Sequence, residues 1–240
     1  SEITLPTGTD HLGNERTAVC CLSSLNLEKY DEWKNEPQFI EDIMRFLDNV
    51  LQDFIDRAPD SMEKSKYAAM RERSVGLGVM GFHSFLQSKM VPFESAVAKA
   101  WNFKIFRHIQ AGVDAASEAL GIERGACPDA ADYGMTGRFS NKTAIAPTAS
   151  ISIICGGASP GIEPISGNSY MHKTLSGSFN VRNRHLSKLL EEKGSNDEET
   201  WSSITVHEGS VQHLDCLNQE EKDVFKTAFE LDQRWVIELA

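Results

Sequence analysis

Residues 17–27 read Thr-Ala-Val-Cys-Cys-Leu-Ser-Ser-Leu-Asn-Leu, a short and mostly apolar run. Its length and side chains predict a buried strand. The segment that follows has a different period. Phe39, Ile40, Ile43, Met44, Leu47, Val50, Leu51, Phe54 and Ile55 recur at helical spacing and predict a long amphipathic helix. Asn35 is placed to cap that helix, Pro37 sits near its first turn and Pro59 stops it. A strand feeding a long helix sets the fold class as α/β, because the same alternation recurs downstream.

Residues 63–73 are polar with a helical pattern. A second long helix is predicted over 95–120, with Gly121 as its stop. Residues 125–141 read as loop. Residues 144–154, Ala-Ile-Ala-Pro-Thr-Ala-Ser-Ile-Ser-Ile-Ile, predict a strand, a tight turn and an apolar run, and residues 156–164 form a Gly- and Pro-rich rigid loop. A helix is predicted from Asn183 to Gly194, a polar loop over 195–200, and a last helix capped by Asn218 that carries Phe225, Phe229 and Val236. No internal repeat or low-complexity segment appears.

The 240 residues carry 24 basic and 35 acidic side chains, a formal charge of -11. That balance argues against a general nucleic-acid binder, which needs a basic face. No apolar run reaches the length of a membrane span, and the first residues have no signal-peptide pattern. Five cysteines at irregular spacing, without a CxxC, do not form a secreted disulfide framework or a zinc motif. The expected compartment is reducing and cytoplasmic, with no metal bound by the chain itself.

Gly76-x-Gly78-x-x-Gly81 matches the dinucleotide fingerprint, but it follows the charged stretch Lys-Ser-Lys-Tyr-Ala-Ala-Met-Arg-Glu-Arg rather than a strand. Close packing of a helix on these glycines is the stronger expectation. The turn Ala146-Pro147-Thr148-Ala149-Ser150-Ile151-Ser152 combines a fixed proline with small hydroxyl residues that leave backbone N–H groups uncovered. Such a turn is an anion cradle when it opens a helix, and a plain cap otherwise. On composition alone, Cys20 and Cys21 are two buried small hydrophobes and Glu2 a solvated terminal charge.

Taken in order, these segments resemble the catalytic subunit of ribonucleotide reductase. Ser1-Glu2-Ile3-Thr4-Leu5-Pro6-Thr7-Gly8 is similar to the tail of the family's finger loop. Residues 18–27 resemble its redox-cysteine strand, Arg73 to Gly78 its glycine motif, and Ala146 to Ser150 its substrate-phosphate loop, followed by Gly161-Ile162-Glu163-Pro164. The likeness is close over residues 1–185 and weaker beyond. It implies one partial domain over residues 1–240, the second half of the family's ten-stranded α/β barrel, with the other half, the ATP-cone and the C-terminal tail absent. The family's radical cysteine is expected just before Ser1, so the chain is expected to be a split-gene, intein-excision or otherwise truncated product, inactive without the upstream part.

The resemblance also assigns roles. Glu2 is the general base at the 3′ hydroxyl, and Cys20 one of the two thiols that become a disulfide, its partner lying upstream. Ser1, Glu2, Pro147, Thr148, Ala149, Ser150 and Ile151 are the substrate contacts. Some bacterial class I enzymes carry Ser-Glu-Thr-Ser where this chain has Thr-Ala-Ser-Ile, so the backbone contacts transfer more directly than those of side chains. Cys21 should face away from Cys20, since successive strand side chains alternate. The implied substrate is a ribonucleoside diphosphate. The implied partners are the upstream polypeptide, a radical-generating small subunit with a di-iron or related metal site, and a second copy of the complete large subunit. Thioredoxin or glutaredoxin is the reductant. An adenosylcobalamin-dependent relative, a non-catalytic assembly module and a dinucleotide-binding α/β domain are the alternatives.

Overall fold

A computed structural model of the chain describes residues 5–174 and 177–240. In chain order its elements are β1 (Gly8–Thr9), β2 (Glu15–Arg16), β3 (Leu22–Asn26), α1 (Tyr30–Trp33), α2 (Phe39–Arg57), α3 (Glu63–Glu72), β4 (Gly76–Met80), α4 (Phe82–Ser88), α5 (Ala96–Arg124), α6 (Pro128–Asp132), α7 (Ile151–Ile154), β5 (Ser169–Thr174), β6 (Gly177–Arg182), α8 (Arg184–Glu192), α9 (Glu198–Val206), α10 (Gln219–Val224) and α11 (Gln233–Leu239). They divide between two compact units. The first holds the described residues up to Leu25, Lys29–Val79 and Lys104–Pro147; the second holds Asn26–Glu28, Met80–Phe103 and Thr148–Ala240.

In the first unit, of the buried strand predicted over 17–27, only Leu22–Asn26 forms, as β3 paired with β4; residues 17–21, with both cysteines, stay outside it, and within β3 only Leu25 is buried. Along the opposite edge of β4 lies an isolated parallel bridge between Leu77 and Thr143. The expected strand at 144 is reduced to that bridge. All five residues of β4 are buried, which is why the strand shows no polar alternation. A Cβ on Gly78 would lie 2.0 Å from the Ala144 carbonyl oxygen, and one on Gly76 would lie 2.2 Å from Leu22 Cδ2. These glycines therefore admit neighbouring extended backbone, not a helix. Two of the motif's three glycines lie within the strand rather than in a turn after it, so the dinucleotide geometry is absent.

Close helix packing on glycine occurs elsewhere. On α5, a Cβ on Gly112 would stand 2.7 Å from Ile40 Cδ1 of α2. Ile40, Met44, Leu47, Leu51 and Ile55 make the buried stripe of α2, while Phe46 and Val50 are exposed. The α2 N-cap is Gln38, without a side-chain bond, so Asn35 does not cap the helix. Gly121 does not end α5 either. It lies inside the helix because a side chain there would meet the Thr136 carbonyl oxygen at 2.2 Å, and Gly125 at φ 87° follows the last turn. Residues 125–141 are loop apart from α6.

Charge is also buried in this unit. Asp48 accepts from Arg73 at 2.7 Å, Arg124 at 2.7 Å and Arg138 at 3.0 Å. Burial pushes its carboxyl up, but these donors outweigh it and hold the pKa below the usual value.

The second unit has its core in Leu186, Leu189, Leu190, Trp201, Ile204, Val211, Leu214, Leu217, Val224 and Phe225. The helix expected from Asn183 forms as α8, with Asn183 as its cap, accepting from the His185 and Leu186 amides. The stretch expected as polar loop runs into α9, because Asp197 accepts from the Thr200 amide and starts a helix. Asn218 opens α10 through a reciprocal capping box with Glu221. The expected single last helix is two: Asp232 caps α11 separately, and Phe229, counted in the apolar spacing, is exposed. The β5–β6 hairpin, with Tyr170 opposite Val181, was not expected from its mostly polar sequence.

Candidate active site

Ser1 and Glu2, assigned above to the substrate and the proton transfer, lie outside the described residues. Cys20 and Cys21 immediately precede β3, and the Cys21 carbonyl accepts from the Gly76 amide at 2.9 Å, which ties the pair to β4. Their exposures differ. Cys20 is exposed, while Cys21 is half-buried, with its sulfur 3.8 Å from the Leu47 carbonyl oxygen of α2. Burial pushes the Cys21 thiol up, and the neighbouring Cys20 and Asp48 add to the effect. A thiol with a raised pKa holds less thiolate and reacts slowly. No disulfide is formed among the described residues.

Thr148, Ala149, Ser150 and Ile151 come together on one turn of the second unit; Pro147, exposed, is the last residue of the first. Thr148 takes the left-handed conformation, φ 53°, and is buried. Its hydroxyl oxygen accepts from the Gly161 amide at 2.8 Å. The Thr148 carbonyl accepts from Ser152 at 3.0 Å and closes the bend. Among the described residues the amides of Ala149, Ser150 and Ile151 meet no acceptor. Ser150 occupies the N-cap of α7 without a side-chain cap bond and is exposed, as are Ala149 and Ile151. Successive open amides at a left-handed bend form a concavity that takes anions without net positive charge. Thr148, by contrast, spends its oxygen on the loop itself.

The loop over 156–164 braces this turn through Gly161 and is itself tied down at Ser159. The amide of Gly81 donates to the Ser159 carbonyl at 2.7 Å, and Ser84 and Ser159 exchange amide-to-hydroxyl bonds at 3.1 and 2.8 Å. His83 lies fully buried beside them, its Nδ1 accepting from the Ile165 amide at 3.1 Å. Desolvation drives its pKa down to about 4, so the ring is neutral at physiological pH. Sequence reasoning did not single out His83, nor Glu28, Arg184 and His185. Glu28 is nearly inaccessible, accepts from His185 Nε2 at 2.9 Å and pairs with Arg184. Asn183, the one local signal, fixes the start of α8 and so the two residues after it.

Among the described residues, no three His, Cys, Asp or Glu side chains are grouped to hold a metal ion. No described helix is long and apolar enough to cross a membrane.

An α/β chain with adjacent cysteines leading into a paired strand and an open-amide turn is the class of protein to which comparison also leads. The family model described as ribonucleotide reductase, barrel domain, matches residues 1–134 and 129–240. The chain belongs to that family, and its α/β fold is that of the family's barrel domain. It is 49% identical over its whole length to the ribonucleoside-diphosphate reductase large subunit of Invertebrate iridescent virus 6, of which it covers 25%. It is 48% identical, again over its whole length, to the large subunit of Invertebrate iridescent virus 3, covering 38% of it. Among solved structures, the class Id ribonucleotide reductase alpha subunit of Actinobacillus ureae superposes with a TM-score of 0.84 at 40% identity, covering 92% of this chain and 40% of that one. The chain thus spans between a quarter and two-fifths of the length of these relatives.

Proposed function

We propose that this chain is the part of a class I ribonucleoside-diphosphate reductase large subunit that receives the substrate's phosphates and supplies one of the reducing thiols. The observation that carries the reading is the turn at 148–151, whose bend is fixed by the Thr148–Gly161 bond while the next three amides stay open. Family membership and relatives named as large subunits support it. In the reaction, a ribonucleoside diphosphate and two thiols give a deoxyribonucleoside diphosphate, a disulfide and water. Cys20 is one of the thiols, its exposure contrasting with the half-buried, weakly acidic Cys21. Glu2 takes the 3′-hydroxyl proton after a thiyl radical has removed the 3′ hydrogen, and water then leaves the 2′ carbon. Ser1, Pro147, Thr148, Ala149, Ser150 and Ile151 line the substrate, the last four chiefly through their backbone.

The working assembly comprises residues 1–240 as one partial barrel domain, the upstream polypeptide, and a metal-containing small subunit that generates the radical. The complete large subunit pairs with a second copy. Thioredoxin or glutaredoxin resets the cysteine pair in the cytoplasm. The test is reconstitution with an iron-loaded small subunit or, separately, with adenosylcobalamin. Diphosphate reduction only with the small subunit is expected. Turnover with cobalamin alone, or diphosphate affinity no better than that of the nucleoside, would overturn the proposal.

A further inference from the structure

The turn that receives phosphate in this reading is held at three places. Two are neutral and buried: Thr148 to Gly161, and Ser159 to Ser84 and Gly81. The third is ionic and sits at the other end of the turn. Gly156, at φ 91°, follows α7, and its carbonyl accepts from Arg184 Nη1 at 3.2 Å. The other terminal nitrogen of Arg184 pairs with Glu28, whose second oxygen is taken by His185. Glu28 is itself fixed in place. Its amide donates to Asn26 Oδ1 at 3.0 Å. Gly81, in the left-handed region, leaves no spare room there, since a Cβ would stand 3.4 Å from both Glu28 Cγ and Ala158 Cβ.

The direction of support follows from burial. The Glu28 side chain is 4% exposed and that of Arg184 48%. Burial alone pushes the Glu28 carboxyl up; the hydrogen bonds from His185 and Arg184 outweigh it and keep the group ionised. A buried ionised carboxylate holds its donors firmly, because losing one leaves charge unpaired. Arg184 therefore spans from a fixed anchor to the carbonyl at the exit of the turn. Asn183 pre-sets that span by accepting from the His185 amide at 3.0 Å while donating to Gln87 Oε1 at 2.9 Å and Asn168 Oδ1 at 2.8 Å.

We propose that Arg184, anchored on Glu28 and His185, is a positioning residue that holds the exit of the 148–157 turn in its phosphate-receiving shape. This rests on the reading of the turn given under Proposed function. The role differs from phosphate binding by the Arg184 charge, since both terminal nitrogens are already committed.

The experiment compares Arg184→Ala and Arg184→Lys with the wild type in the assembled enzyme. Two quantities are read: amide hydrogen exchange at residues 156–158, and affinity for a ribonucleoside diphosphate against the corresponding nucleoside. Arg184→Ala should speed exchange at 156–158 and weaken diphosphate binding by roughly twofold to fivefold, the scale of one partly exposed charge-assisted contact. Nucleoside affinity should stay unchanged, and Arg184→Lys should recover most of the loss. Exchange and diphosphate affinity both at wild-type values in Arg184→Ala would overturn the brace. An equal loss for nucleoside and diphosphate would reduce Arg184 to general stability and equally overturn it. Faster exchange with a wild type that does not prefer the diphosphate would sink the phosphate reading, and the positioning role with it, while leaving the ionic contact itself established.

Discussion

Asp48 is the residue whose loss should cost the fold most. It is fully buried on α2 and receives three guanidinium groups, two of them, Arg73 and Arg138, on buried residues. Asp48→Asn keeps the volume and one acceptor oxygen but removes the only charge that the three arginines are seen to share. Breaking a buried ion pair from one side costs about 3–5 kcal/mol, because the partner charge stays desolvated and unpaired. Against a total stability of about 5–15 kcal/mol, that is a large fraction. With a urea slope of about 2 kcal/mol per molar, the midpoint should fall by at least about 1.5 M. Asp53→Asn on the same helix is the control: its pair with Arg57 at 2.8 Å is exposed, 58% and 80%, so the loss should be below about 1 kcal/mol. The Asp48 pKa is lowered in the folded state. Its stabilisation is therefore complete above the unfolded value of about 3.9 and is lost as pH falls below it through the folded pKa. The wild type should lose stability more steeply than Asp48→Asn below about pH 4. Urea melts followed by circular dichroism at pH 7 and pH 3 measure both effects. An Asp48→Asn midpoint within a few tenths molar of the Asp53→Asn value would refute the reasoning.

In the reconstituted reductase, Cys20→Ser should abolish multiple turnover while leaving the circular dichroism spectrum unchanged; Cys21→Ser should keep most of the activity, and the reverse pattern would exchange their roles. Changing Glu2 to Gln should slow reduction by about a hundredfold or more, the scale of a lost general base, with little change in nucleotide affinity; a near wild-type rate would leave Glu2 without a catalytic part. Gly78→Ala places a methyl 2.0 Å from the Ala144 carbonyl oxygen, and the backbone shift needed should cost about 3 kcal/mol or more, read as a lower melting temperature. An unchanged value there would mean that β4 and its neighbour are not so closely apposed.

What the sequence revealed follows from how local each signal is. The α2 stripe, the start of α8 at Asn183 and the Asn218 cap are set within a few residues, and all were legible in the sequence. The alternation of Cys20 and Cys21 was expected from a strand that in fact begins only at Leu22, so their differing exposure does not rest on strand geometry. The errors arose where a glycine or an apolar residue had a distant cause. Gly121 looked like a helix stop because its real neighbour, Thr136, lies across a loop. Phe229 matched a helical spacing that Asp232 interrupts by starting a new helix. The glycines at 76 and 78 read as a turn or a helix contact, since nothing within the motif shows that Ala144 runs alongside.

The candidate site divides in the same way. The turn from Pro147 to Ile151 was recognisable as an open-amide bend, because proline and small hydroxyl residues act on their own backbone. That the Thr148 oxygen faces Gly161 was not recognisable, since the bond crosses thirteen residues. The ionic support is the extreme case. Glu28 and Arg184 are 156 positions apart, and neither has a spacing or motif that pairs it with the other. Each alone reads as a solvated charge, Glu28 beside Lys29 and Arg184 between Asn183 and His185. Only the burial of its side chain separates Glu28 from the many other acidic residues of this chain. A carboxylate removed from water must be met by donors, and Asn183 and Gly81 are the residues that let those donors arrive. If the turn handles phosphate, its shape is thus maintained by a residue that no phosphate-loop pattern contains.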